Sequence, residues 1–314
     1  MNTLAIAIYQ RPELVYLYLE QLLKEPKELE NIRVHFFLDY CFNTDIYKVI
    51  HWFRKYHKHI KITTRTLEDK NKCPLPGFYN ILDSYRIAAE ESEEYILPAE
   101  EDMTPTQDYL RFNRICYEKF LSRYNKLFCV SHKRRPEIET SGDISQLIGD
   151  SQCCSPSCIS VKVVKNYILP YLTDELYNNP VAFYNKHFNN IRIPYNEHIH
   201  GDGFTERCML KHGLYALKPD QTRSMHVGVG GLHSGSNELI GSLEDKVKWY
   251  YDKISLGSEE LRKYASSAKE DIVVCNLDNP SWNDLEIDFN RNKCKASSIC
   301  YDLKNTFKRE ILCL

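Results

Sequence analysis

The run Leu4-Ala5-Ile6-Ala7-Ile8 is apolar at every position, so a strand built from it must be covered on both faces. An alternating pattern would leave one face to water; a continuous one belongs to a central strand with helices above and below. The run stops at Tyr9, and Pro12 follows. Proline fits the first turn of a helix because the N–H it lacks has no helical partner there. Val15, Leu19, Leu22 and Leu23 then fall on one side of a helix that ends near Pro26. A second strand, Arg33 to Leu38, runs into Asp39; an amphipathic helix spans Ile46 to Tyr56, and a third strand lies near Ile60 to Thr64. This alternation predicts an α/β fold with a doubly wound, Rossmann-like, mostly parallel sheet flanked by helices.

After the break Pro74-Leu75-Pro76-Gly77, Asn80 can cap a helix whose Ile81, Leu82, Tyr85, Ala88 and Ala89 face inward. A fourth strand, Tyr95 to Ala99, leads directly into Glu100-Glu101-Asp102. A helix from Gln107 to Tyr124 and a strand from Lys126 to Ser131 should follow. From about Ile144 the pattern loosens into shorter strands and glycine-rich turns. From about Gly241 it becomes charged and at first helical, with Val247, Tyr250, Tyr251 and Ile254 at helical spacing. These shifts divide the chain into an α/β domain over 1–240, with halves near 1–131 and 132–240, and a small helical C-terminal region over 241–314.

Composition narrows the function classes. The 314 residues are 43% hydrophobic and 27% charged, with a formal net charge of -2, so no global field draws the chain to nucleic acid or anionic lipid. Its densest basic run, His132-Lys133-Arg134-Arg135, reads as a solvated face or as a local phosphate contact. Neither a signal peptide nor a membrane span is evident, which predicts a cytoplasmic protein. Twelve cysteines without a Cys-x-x-Cys pair predict reduced thiols; Cys153, Cys154 and Cys158 read as a turn and the strand after it.

The acidic triplet sits where open α/β sheets bind ligands, beyond the carboxyl end of a strand. Adjacent carboxylates repel, and the cost is tolerated when Mg²⁺ or Mn²⁺ lies between them and a polyphosphate. On repulsion alone, removing the charge of Asp102 should leave the ligand-free fold as stable or more so. The stretch His198-Ile199-His200-Gly201-Asp202-Gly203 admits another chemistry, a zinc-dependent hydrolase site whose ligands alternate along a strand. Asp202 can also be the cap of a helix beginning at Phe204. The glycines Gly228, Gly230, Gly231 and Gly235 read as a mobile lid carrying His226 and His233.

The order of Leu4 to Tyr9 with Arg11-Pro12, Asp39 after the second strand, Gly77-Phe78-Tyr79-Asn80, and Tyr95 to Asp102 resembles a GT-A glycosyltransferase. The acidic triplet resembles its Asp-x-Asp motif, with Glu in the first place. The segment Arg223 to Gly235 is similar to the closing segment of the N-acetylglucosaminyltransferase I type. The resemblance covers roughly residues 4 to 235 by motif order, without an alignable match over 147–194. It implies transfer of a sugar from a nucleoside diphosphate sugar, a UDP-sugar above all, to an acceptor hydroxyl, with inversion and with Mn²⁺ or Mg²⁺ as cofactor. Residues 1–131 would then hold the donor and 132–240 the acceptor and lid. Asp102 and His226 would meet the metal, Glu100 and Glu101 the donor sugar side, and Tyr9, Arg11, Asp39, Gly77 and Asn80 the nucleotide. Arg223 would clamp the diphosphate, and Asp202 would take the acceptor's proton, with Glu206 and Glu197 as substitutes. A glycan is the expected acceptor, with Tyr171, Tyr177 and Tyr184 as platforms. DNA with hydroxymethylated bases, tracked by Lys133, Arg134 and Arg135, is the alternative.

Overall fold

The computed structural model describes residues 1–40, 43–67, 77–132, 146–150, 156–191, 201–219, 222–226, 242–256 and 286–288. The first half runs β1 (Asn2–Ile8), α1 (Pro12–Leu22), α2 (Pro26–Leu29), β2 (Ile32–Leu38), α3 (Asp45–Tyr56), β3 (Lys61–Thr66), α4 (Phe78–Glu91) and β4 (Tyr95–Glu100). It continues with β5 (Met103–Pro105), α5 (Tyr109–Cys116), a π-helical turn Tyr117–Leu121, and β6 (Leu127–Ser131). The second half contains β7 (Gln146–Asp150), β8 (Pro156–Ser160), α6 (Val161–Val163) with π and 3₁₀ turns to Tyr171, α7 (Asp174–Asn178) and α8 (Pro180–His187). Then come α9 (Gly201–Lys211), β9 (Tyr215–Pro219), β10 (Ser224–His226), α10 (Leu243–Leu256) and β11 (Glu286–Asp288).

Among the described residues, nine strands form one sheet in the order β11-β7-β9-β6-β8-β4-β1-β2-β3, and β5 pairs with β10 in a separate ribbon. The α/β, mostly parallel sheet flanked by helices follows the sequence expectation, but three neighbouring pairs, β4 with β8, β6 with β8, and β7 with β9, are antiparallel. The apolar run of β1 behaves as its pattern requires. Leu4, Ile6 and Ile8 pack with Val15, Tyr18 and Leu19 of α1 and Phe53 of α3 on one face. Ala5 packs with Phe78, Leu82 and Tyr85 of α4 on the other. Each fully buried Phe or Leu of these layers contributes about 1.5–3 kcal/mol relative to exposure.

Several boundaries differ from expectation for local reasons. Gly77, at φ 73, occupies the N-cap of α4, so Asn80 lies inside the helix. There its Nδ2 donates to Phe37 O at 2.8 Å and ties α4 to β2. The region after 241 begins with a helix, as its periodicity requires, yet also supplies β11, a parallel edge strand beside β7 that its polar sequence does not announce. Cys158 is a buried free thiol of β8; Cys153 and Cys154 lie outside the described residues. No helix among the described residues is long and apolar enough to cross a membrane.

Candidate active site

Strand order places a switch point beside β1. The chain moves from β1 to β2 and β3 on one side, then returns to place β4 on the other. The loops leaving β1 and β4 therefore diverge at their carboxyl ends and open a crevice, the usual ligand position in such sheets. Tyr9 and Arg11 leave β1 there, and Glu100, Glu101 and Asp102 end β4.

Arg11 spans this crevice. Its Nε and Nη2 donate to Glu101 Oε1 at 3.2 and 3.1 Å, and Nη2 donates to Asp102 Oδ2 at 2.9 Å. Burial alone would lower the guanidinium pKa, but Glu101 and Asp102 together hold it above its ordinary value. The repulsion expected within the triplet is thus offset by an internal cation, so neutralising Asp102 removes a partner of Arg11 and does not favour the ligand-free fold. Glu101 is buried beneath the turn, and its side chain serves Arg11.

Glu100 lines a cleft, partly open to solvent, that it shares with Asp202, His132, Ser84 and Tyr85. Asp202 arrives from the first turn of α9. A Cβ on the preceding Gly201 would stand 3.0 Å from Ile81 Cγ2, so glycine there lets α9 approach α4 closely and brings Asp202 to the cleft. The helix begins at Gly201, earlier than the expected Phe204, and Asp202 is helical; the alternating strand geometry of the hydrolase alternative does not apply to it. His198 and His200 lie outside the described residues, as does Glu197.

Behind Asp202, one helical turn on, Glu206 is 7% exposed, and its Oε1 accepts no hydrogen bond among the described residues. Asp150 and Lys218 form a buried ion pair at 3.2 Å in the same neighbourhood. Burial raises the Glu206 pKa from 4.5 to about 7; Lys218 opposes the rise, while Asp202 and Asp150 add to it. Between pH 4.5 and 7 the folded chain therefore keeps a proton that the unfolded chain has lost. Stability falls as pH rises through that window, by about 3 kcal/mol once Glu206 is ionised in both states. Glu206→Gln cannot titrate, so thermal melts at pH 5 and pH 8 should show its Tm gaining on the wild type at the higher pH. A Tm difference independent of pH would rule out this buried proton.

Asp39, 3% exposed at the end of β2, accepts from Tyr40 N at 2.7 Å, and burial raises its pKa. Arg223 is fully buried, its Nε 3.0 Å from Asp108 Oδ2 and its guanidinium 4.7 Å above the Phe112 ring. That enclosure corrects the expectation of a diphosphate clamp: the arginine fastens β10 to the start of α5. The register of β10 sets His226 opposite Met103, directly after Asp102. Tyr177 is tilted against Tyr79 with ring centroids 4.6 Å apart, Tyr171 bonds His212 at 3.1 Å, and Tyr184 lies under Arg207. Lys133, Arg134, Arg135, His233 and the glycines from Gly228 to Gly235 fall outside the described residues.

Beyond its place in the basic run, nothing in the sequence marks His132 as a site residue, although it follows the buried strand β6 as Glu100 follows β4. It is 4% exposed, its Nδ1 meets Ser224 Oγ, and its carbonyl accepts from Arg223 N at 2.7 Å. Asp150 and Lys218 were silent because only strand pairing unites them.

A divalent ion of the Mg²⁺ or Mn²⁺ kind needs one or two carboxylates when phosphate oxygens supply other ligands. Glu100 and Asp102 are carboxylates of that kind, the first lining the cleft and the second bonded to Arg11, although no group of three metal-binding side chains occurs among the described residues.

No protein-family model and no curated protein matches the sequence. Among solved structures, the chain is similar to S. aureus TarS 1-349 in complex with UDP-GlcNAc, at 12% identity and a TM-score of 0.43, over 76% of this chain and 62% of that one. It is also similar to mannosyltransferase PcManGT from Pyrobaculum calidifontis in complex with GDP-Man and Mn²⁺, at 11% identity and a TM-score of 0.43, over 73% of this chain and 58% of that one. A further TarS structure is matched over 36% of its length at a TM-score of 0.43, so this chain spans less than two thirds of the structures it resembles.

Proposed function

We propose that this chain is a GT-A-like glycosyltransferase that moves a sugar from a nucleoside diphosphate sugar, a UDP-sugar by preference, to an acceptor hydroxyl with inversion. The observation that carries the reading is the meeting, in one cleft at the carboxyl end of β4, of Glu100 from β4 and Asp202 from α9. An inverting displacement needs a donor held on one side of the anomeric carbon and a base on the other. Tyr9, Arg11 and Asp39 border the crevice where base and ribose would lie, with Gly77 and Asn80 shaping the entry of α4 behind them. Glu100 and Asp102 would hold Mn²⁺ or Mg²⁺, which when bound supplies positive charge to the departing diphosphate. Asp202 Oδ takes the proton of the acceptor hydroxyl as the new glycosidic bond forms and the bond to the diphosphate breaks. A glycan or other small hydroxylated molecule is the acceptor we favour, with Tyr177 and Tyr79 as its platform.

Calorimetry with UDP-, GDP- and dTDP-sugars, each with and without Mn²⁺, tests the donor half. One nucleotide series should bind in a metal-dependent way; no metal-dependent binding of any donor would sink the reading. The anomeric configuration of the product, followed by NMR, then tests inversion.

A further inference from the structure

We infer that the outer face of α3, continued by the start of β3, is a binding surface for single-stranded nucleic acid. From Asp45 to Thr66 the sequence holds six lysines and arginines against one aspartate, within a chain whose net charge is -2. Charge of that density against an acidic background is a local feature. The fold decides which way it points. Ile46, Val49, Ile50 and Phe53 of α3 are at most 3% exposed and belong to the core, so the opposite face, with Arg54, Lys55, Lys58 and Lys61, is turned to solvent.

Lys48 is paired with Asp45 at 2.5 Å. Arg54, Lys55, Lys58 and Lys61 meet no carboxylate within ion-pair distance among the described residues, so their charge is available to a partner. Arg54 bonds Thr64 Oγ1 at 3.4 Å, which ties the helix to β3 and makes the surface one continuous strip along the sheet edge. Because β2 and β3 are parallel, α3 runs back against them, so its basic end lies at the far side of the sheet from the crevice. The strip is therefore separate from the donor site and does not depend on the transferase reading.

The aromatic residues select the kind of polyanion. Tyr56 is 61% exposed, with Lys55 Nζ 5.1 Å from its ring centroid, and half-buried Trp52 lies 6.2 Å behind it. Phosphate-seeking cations alternating with an open ring match a strand whose bases can stack beside its backbone. A membrane surface fits less well. An interfacial helix inserts an apolar face, and the apolar face of α3 is already committed to the core.

The test is fluorescence anisotropy of a labelled mixed-sequence 20-nucleotide DNA strand with the full chain, titrated over 50–200 mM salt. Each neutralised phosphate of a single strand contributes about -0.7 to the log–log salt slope, so three to four contacts give roughly -2 to -3. The combined variant Lys55→Ala, Lys58→Ala, Lys61→Ala should make the slope shallower by about 2, and Tyr56→Ala should weaken binding about tenfold with the slope unchanged. All four positions are exposed, so an unchanged Tm verifies folding. The inference is overturned by absence of salt-sensitive binding at 50 mM. It is equally overturned by binding that survives the triple variant but disappears in Arg134→Ala, Arg135→Ala, or by preference for vesicles containing phosphatidylserine over the oligonucleotide.

Discussion

Asp202→Asn is expected to reduce sugar transfer by about 10²–10⁴-fold, the usual contribution of a positioned general base, while donor affinity stays within about twofold. The separation follows from placement. Asp202 reaches the cleft from α9, whereas the crevice that would receive the nucleotide is bounded by residues leaving β1, β2 and β4. Asparagine keeps the size and the helical position, so the loss isolates the charge that receives the proton. Donor titration by calorimetry and turnover at saturating donor, measured on the same preparation, separate the two quantities. A parallel loss of donor affinity would move Asp202 to the donor side. Full activity would remove it from the reaction.

The largest expected effect on stability lies away from the cleft. Asp108→Asn or Arg223→Met should each destabilise the chain by about 3–5 kcal/mol, because either change removes the counterion of a buried charge. Both side chains are at most 1% exposed, and Thr106 Oγ1 donates to Asp108 Oδ1 at 2.6 Å as well. Replacing both together by apolar residues of similar volume should recover much of the loss, since the cost arises from the orphaned partner. Urea unfolding of the two single variants and the double variant measures the cycle. Single losses below about 1 kcal/mol would mean that water reaches the pair.

The periodic elements were legible because burial writes directly into sequence. A strand covered on both faces is largely apolar, which is why β1, β2, where Val34 and Phe36 to Leu38 flank His35, and β4 and the acidic turn after β4 could be placed from residues alone. The left part of the sheet was not legible. Strands β6 to β9 are short, pair out of sequence order and run in both directions, and nothing local in Gln146–Asp150 or Tyr215–Pro219 states which neighbour each will take. The same limit hid the meeting of Asp150, Lys218 and Glu206. It also gave Arg223 the wrong expectation: an arginine before a glycine-rich stretch reads as exposed until its partner Asp108 is known. Arg11 lay between these cases. Its position after β1 marked it as a crevice residue, but its bond to Glu101 depends on β4 settling beside β1 in register.

The ribbon of β5 and β10 has a consequence for biosynthesis. Thr106 and Arg223 are 117 positions apart, yet Thr106 N donates to the Arg223 carbonyl at 3.1 Å, and β5 pairs with Ser224–His226. A nascent chain leaves the ribosome with Asp108 made early and its counterion made late. Until Arg223 emerges, the carboxylate must stay hydrated, and α5 cannot seal against the ribbon without enclosing a lone charge. The last turn of packing around the acidic loop therefore waits for nearly the whole α/β region to be synthesised. A truncation ending before Thr222 would lack that counterion and leave the edge of β5 open to other chains.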